Sequence, residues 1–187
     1  MNTARPPYQT HSMHIVYVAI SVTTLDERLA RTMEPRTSPP AARLQTIHKL
    51  SEAGIPTRVM VAPIIPGLND SEIPQILQAA KEAGACSAAY VLLRLPLTVR
   101  PVFQEWLERT QPTHKDRVES LIRSTREGKM NDAQFGSRMR GEGPIAEQIQ
   151  QVFQIFARKH GLDAKTAPLD TSHFRPPRPT TGQMRLF

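Results

Sequence analysis

Two short echoes constrain this fold more than anything else in the chain. Glu52-Ala53-Gly54 and Glu82-Ala83-Gly84 stand 30 residues apart, each between a helical pattern and an apolar run. That spacing is the length of one βα unit. Regular strand–helix alternation implies parallel strands joined by right-handed crossovers. The first run is His14–Ser21, apolar and β-branched, with Ile15–Ile20 at its centre. Such a run reads as a strand buried on both faces of a parallel sheet. Thr57–Ile65 and Ala88–Leu95 read as the second and third strands.

The helices between them carry their own punctuation. After a loop, Ser38 followed by Pro39 predicts a helix start, with serine at the cap and proline in the first turn. Leu44, Ile47 and Leu50 then form one apolar face, Gly54 ends the helix, and Pro56 prevents its resumption. Asp70 or Ser71 caps the next helix, whose Ile73, Ile76, Leu77 and Ala80 face inward until Gly84. Beyond about Val99 the strand signal stops. Val102–Arg109, Thr113–Glu127 and Pro144–His160 read as helices, the second capped by Thr113 and stopped by Gly128. The last places Ile145, Ile149, Val152, Phe153 and Phe156 on one side and closes at Gly161. The fold class is therefore α/β: a partial (βα) barrel of three parallel strand–helix units followed by a helical C-terminal region. Three parallel strands alone leave long unpaired edges, so this pattern implies that neighbouring strands are missing.

Composition narrows the setting. At 187 residues and 39% hydrophobic, the chain can bury one ordinary core. One cysteine, Cys86, excludes an internal disulfide and points to a reducing compartment. Ile15–Ile20 is too short to span a membrane and lacks the flanks of a signal peptide, so the expected location is cytoplasmic, without membrane contact. The net charge of +7 is uneven: residues 1–110 carry 11 basic and 9 acidic side chains, residues 111–187 carry 13 and 8. A basic C-terminal third suits phosphate-rich partners, although solvated helix faces explain it equally.

Three stretches carry a resemblance. The first is Ser21-Val22-Thr23-Thr24-Leu25-Asp26 after an apolar strand, with Glu34-Pro35-Arg36 and Arg43-Leu44 behind it. The second is Val61-Ala62-Pro63-Ile64-Ile65-Pro66-Gly67-Leu68-Asn69-Asp70, and the third Phe135-Gly136-Ser137-Arg138-Met139-Arg140-Gly141. Together they resemble the C-terminal half of bacterial radical S-adenosylmethionine (SAM) proteins related to spore photoproduct lyase, a DNA-repair enzyme. The resemblance covers nearly the whole chain after residue 13. It implies a partial radical SAM barrel over 13–110 followed by a helical region over 111–162; residues 1–12, polar with a Pro-Pro step, read as a disordered tail or a start-site artefact, and residues 163–187, with four prolines and little periodicity, as an extended tail.

Enzymes of that family hold a 4Fe–4S cluster on a C-x-x-x-C-x-x-C loop, whose three thiolates leave one iron free for SAM. A chain with one cysteine cannot build that loop. The resemblance thus implies a fragment whose complete form would cleave SAM reductively, with the cluster ligands missing here. It places Ser21 at the end of the family's fourth barrel strand, where a polar residue helps to hold SAM. Ser21 and Thr23 either serve there or cap the turn. The fifth strand ends beside adenine, which matches Ala62–Ile65 and makes Pro63 and Ile64 candidates; a plain Pro-Gly turn is equally economical. Arg43 pairs with Glu34, reaches the SAM carboxylate or, as the plainer reading, is a solvated surface side chain. Arg94 lies within the third apolar run, where an unpaired charge is costly, so it is expected to face the barrel mouth and meet an anion.

Other chemistry is sparse. The six histidines show no metal spacing. Gly141-Glu142-Gly143-Pro144 opens a helix, and with Arg138 and Arg140 beside it that corner is the candidate nucleic-acid contact, or else a loop tied down by ion pairs. Cys86 reads as a small buried filler. The last five residues, Gln183-Met184-Arg185-Leu186-Phe187, resemble the Gln-x-x-Leu-Phe peptide by which bacterial repair and replication proteins dock on the DNA sliding clamp. Gln183, Leu186 and Phe187 would be its anchors, unless the two apolar residues fold back on the domain. The rival to an enzyme fragment is a non-enzymatic basic domain that binds nucleic acid or a partner. An iron-free (βα) enzyme ranks last, for want of any acid–base constellation. The substrate is not legible.

Overall fold

A computed structural model describes residues 17–164, together with 172 and 175. Its sheet has three parallel strands in the order β1-β2-β3: Val18–Ser21, Thr57–Ile64 and Ser87–Leu92. Val18 pairs with Thr57 and Arg58 with Ser87, and the β2–β3 register shifts between Val61 and Ile64. The expected strands are therefore present; β1 ends with its apolar run at Ser21, whereas β2 and β3 end one and three residues before theirs. Burial does not extend to both faces. Thr57, Val59 and Val61 of β2 are buried, whereas Arg58, Met60 and Ala62 between them are only half-buried. In β1, Ala19 and Ser21 are exposed. The register puts Ala19, Arg58 and Ser87 in one row and Ser21, Met60 and Ala89 in the next, on the same face. The helices cover the other face alone, which is why the reading of β1 as doubly buried fails. The result is an open three-stranded sheet; barrel closure is not seen among the described residues.

The helices α1–α6 span Glu27–Met33, Pro40–Glu52, Ile73–Glu82, Val99–Thr110, Lys115–Ser124 and Pro144–Lys159. The first lies in what the sequence reads as loop. Asp26 caps it, its carboxylate accepting from the amides of Arg28 at 2.7 Å and Leu29 at 3.1 Å. The second starts one residue later than expected, with Pro39 rather than Ser38 at its cap and Pro40 inside the first turn. The fifth is capped at His114 and not at Thr113. Helix α3 follows a single 3-10 turn at Asp70–Glu72, and Asp70 accepts from the Gly67 amide instead of capping the helix.

The repeated Glu-Ala-Gly ends are one structural device used twice. The Ile55 amide donates to Leu50 O and the Ala85 amide to Ala80 O, both at 2.9 Å. Gly54 at φ +71° and Gly84 at φ +96° supply the left-handed residue that this closure requires. Leu162 donates to Ala157 O in the same way at the end of α6.

Two apolar clusters result. The larger joins Val59, Val61 and Ile64 of the sheet to Ile47 of α2, Ile76 and Leu77 of α3, and Ile149 and Phe153 of α6. The Phe153 ring lies 4.7 Å from that of Tyr90 on β3. Helix α6, from the C-terminal region, thus covers the sheet beside α2 and α3. The smaller cluster gathers Leu29, Ile65, Leu95, Phe103, Trp106 and Ile122. The Trp106 indole donates to Thr32 O at 2.9 Å, tying α4 to α1.

Candidate functional site

The C-terminal ends of parallel strands are where such sheets present ligand-binding groups, and here that rim is polar. The Ser21 hydroxyl lies 2.7 Å from Ala62 O and the Thr23 hydroxyl 3.0 Å from the same carbonyl. Thr23 also approaches Glu34 Oε2, at 3.4 Å. A carbonyl oxygen cannot donate, so Ser21 gives its proton to Ala62. The outward lone pairs of its exposed oxygen then suit a donor such as a ribose hydroxyl or an ammonium group better than a carboxylate.

Arg43 braces this rim. Its guanidinium donates to Glu34 Oε2 at 2.6 Å, to the Thr37 hydroxyl at 2.6 Å, to Ser38 O at 2.9 Å and to Ser21 O at 3.1 Å. With its side chain only 15% exposed, it is committed to Glu34 and the backbone. Of the roles the sequence offers, the ion pair is the one the geometry contains. Reaching a ligand carboxylate requires breaking that fork.

Asn69 and Glu72 tie the strand ends from beneath. The Asn69 amide accepts from Ile65 N at 2.7 Å and donates to Thr23 O at 2.8 Å and Pro63 O at 3.1 Å. The Glu72 carboxylate takes the Thr24 hydroxyl at 2.6 Å and the Leu25 amide at 2.7 Å. Sequence reading sees only turn chemistry in Asn69-Asp70. The bracing roles of Asn69 and Glu72 rest on Thr23, Thr24 and Leu25, more than forty positions away. Pro63 sits half-buried at the rim, its carbonyl occupied by Asn69. Ile64 is 0% exposed and belongs to the helix-side core, so its side chain has no surface to offer a ligand.

A second polar corner adjoins the end of β3. Arg126 is 3% exposed and donates to Leu93 O at 2.9 Å and Ser137 O at 3.2 Å. Burial lowers its pKa, Asp132 counters that, and nearby Arg94 adds to it. Arg94 lies past the strand, not inside it, because β3 ends at Leu92. Its Nε and that of Arg126 are buried without hydrogen-bond partners. Asp132 accepts from the Ser137 hydroxyl and from Gln134 N at 2.7 Å, and these bonds hold its carboxyl below the ordinary range. Burial raises the Tyr90 pKa, against a smaller lowering from Arg140. Arg138 stacks over the Phe135 ring at 4.7 Å, and Arg140 is exposed.

Cys86 lies at the other end of the sheet, its Sγ 3.2 Å from Thr57 O. Among the described residues no group of three or more His, Cys, Asp or Glu is placed to hold a metal ion. With one cysteine in the whole sequence, the iron–sulfur cluster that the resemblance implies does not fit the ligands this chain offers. No helix among the described residues is long and apolar enough to cross a membrane. The reading of residues 1–12 as a tail and the docking-peptide residues Gln183, Leu186 and Phe187 lie outside the described residues.

Comparison with known proteins bears on the same rim. Residues 11–80 match the model of the radical SAM superfamily, a stretch running from β1 into α3. An uncharacterised protein of Mycobacterium tuberculosis is 37% identical over 110 residues, 58% of this chain and 32% of the relative. One from Mycobacterium bovis matches to the same extent. An uncharacterised protein of Acidianus two-tailed virus is 45% identical over 51 residues, 27% of this chain and 17% of its own length. The match thus spans about a third of the length of the mycobacterial relatives. No solved structure matches the chain.

Proposed function

We propose that this chain supplies three adjacent strands of a radical SAM barrel, with Ser21 and Thr23 forming part of the SAM pocket. One observation carries the reading: the superfamily match ends its two strands in the hydroxyl-lined rim at Ser21, Thr23 and Ala62. Among the described residues β1 has β2 as its one strand neighbour and exposes Ala19 and Ser21, which agrees with a sheet that continues in another segment. In this reading the cluster ligands come from that segment. The complete protein cleaves SAM reductively and abstracts hydrogen from its substrate. The three stretches that resemble spore photoproduct lyase make a nucleic-acid lesion the first substrate class to test. A non-enzymatic basic binding domain is the second reading, favoured by the arginine corner at the end of β3.

The test joins the chain to in-frame upstream sequence carrying C-x-x-x-C-x-x-C, loads the cluster anaerobically, and follows SAM under dithionite. 5′-Deoxyadenosine is expected from the joined protein and not from the chain alone. Replacing Ser21 with alanine is expected to raise the KM for SAM by about two- to tenfold, the worth of one neutral hydrogen bond. A cluster-loaded protein that leaves SAM intact removes this reading.

A further inference from the structure

We propose that the segment from Phe135 to Arg140 is a stacking platform for single-stranded nucleic acid, with Phe135 taking a base and Arg138 and Arg140 the flanking phosphates. Phe135 is 92% exposed. One face of its ring lies under the Arg138 guanidinium and the rest is open to solvent. An exposed cation–π pair contributes only about 0.5–1 kcal/mol, too little to explain why a full phenyl ring is held out in water.

The segment that carries the ring is fixed at many points. Arg126, nearly completely buried, donates to Ser137 O at 3.2 Å. Asp132 takes the Gln134 amide and the Ser137 hydroxyl, which flank Phe135 along the chain. The Arg138 amide reaches back to Gln134 O at 3.2 Å, and the Glu142 amide to Thr125 O at 3.1 Å. Gly141, at φ +72°, lies so close to the body that an added Cβ would stand 2.9 Å from Leu92 Cδ1 and 3.0 Å from Thr125 O. A ring presented on so braced a turn loses little entropy when a partner stacks on it.

The charge around it selects the partner. Arg94, Arg126, Lys129, Arg138 and Arg140 outnumber Glu127, Asp132 and Glu142 around this segment, with Asp132 counted as the anion its bonds to Ser137 and Gln134 favour. An aromatic face inside a net positive field is the pairing that sequence-tolerant single-strand binders use. Each stacked base there is worth about 1–3 kcal/mol. Duplex DNA keeps its base faces covered and offers this ring nothing.

The proposal needs neither a cluster nor SAM. Its test runs on the chain as it stands, and failure leaves the barrel reading untouched. Fluorescence anisotropy with end-labelled oligodeoxythymidine and oligodeoxyadenosine of about a dozen nucleotides, against a duplex of equal length, measures binding across a salt series. Single strands are expected to bind tighter than duplex. Phe135→Ala is expected to weaken binding about tenfold without altering the salt slope, whereas Phe135→Trp retains affinity. Arg140→Ala is expected to reduce the slope by about 0.7, one phosphate contact on a single strand. An unchanged affinity in Phe135→Ala, a preference for duplex, or tighter binding of polyglutamate than of either oligonucleotide overturns the proposal. Because Phe135 is exposed, its variants are expected to melt with the parent; a melting shift that accounts for lost binding also overturns it.

Discussion

Replacing Asn69 with alanine removes three hydrogen bonds from the join between the first two strands. Only one amide orientation fits, with Oδ1 opposite the Ile65 amide and Nδ2 opposite the carbonyls of Thr23 and Pro63. Asn69 is 2% exposed and Ile65 0%. Water therefore does not take over the Ile65 amide, whereas the half-buried Pro63 carbonyl can recover a partner from solvent. An orphaned buried amide costs about 1–3 kcal/mol, and each carbonyl left short adds less, since it keeps a second lone pair. The expected loss is about 3–4 kcal/mol, a large share of the ~5–15 kcal/mol that holds a domain folded. For a chain of this size that lowers the melting temperature by roughly 6–16 °C. Urea unfolding of Asn69→Ala and Asn69→Asp measures it. At neutral pH the aspartate faces two carbonyl oxygens with a negative charge and is expected to be at least as damaging as alanine. On acidification its protonated oxygen can donate to one of them, so the gap to alanine should reverse. A loss below about 1 kcal/mol for Asn69→Ala refutes the brace, because a single orphaned amide already exceeds that.

The other expectations are briefer. Arg43→Lys should lose most of what Arg43→Ala loses, about 2–3 kcal/mol, because one ammonium cannot serve Glu34, Thr37, Ser38 O and Ser21 O together; stability equal to the parent contradicts this. The Asp132 carboxyl is held below its ordinary 3.8, so its contribution is complete above that pH and lost as pH falls through the depressed native value. The stability difference between parent and Asp132→Asn should therefore be constant near neutrality and close as acid titrates the carboxyl below its ordinary range. A peptide covering 180–187 should bind the bacterial DNA sliding clamp through Gln183, Leu186 and Phe187; equal binding by Leu186→Ala and Phe187→Ala peptides removes that link.

The elements most legible in the sequence are those whose partners are local. Glu52-Ala53-Gly54 and Glu82-Ala83-Gly84 announce helix ends because the closure needs only a left-handed glycine and the preceding turn. Thr57–Ile65 announces a strand as an apolar run that follows a helix stop. The short α1 escaped, although Asp26 and Glu27 mark its start, because Leu29 alone of its residues is buried and no period develops. Ser21, Thr23 and Arg43, singled out in the sequence, do meet at one rim, but its supports were not singled out. Glu72 reads as a surface acid, and Asn69 as a turn former, until Thr23 is brought beside them. Arg126 has no pattern in sequence at all, since its worth lies in two carbonyls from different segments. The exposure of Phe135 is equally invisible: an aromatic in a glycine-rich loop reads as an anchor, and only the fold shows it facing out.

The most direct test of the central claim, a SAM-binding rim without its own cluster ligands, is anaerobic iron–sulfide reconstitution of this chain, read by iron content and electron paramagnetic resonance. The account predicts no stoichiometric iron and no reduced-cluster signal, since Cys86 is the sole thiol and stands at the end of the sheet opposite Ser21. Stoichiometric incorporation of four irons per chain with a reduced 4Fe–4S signal would contradict it.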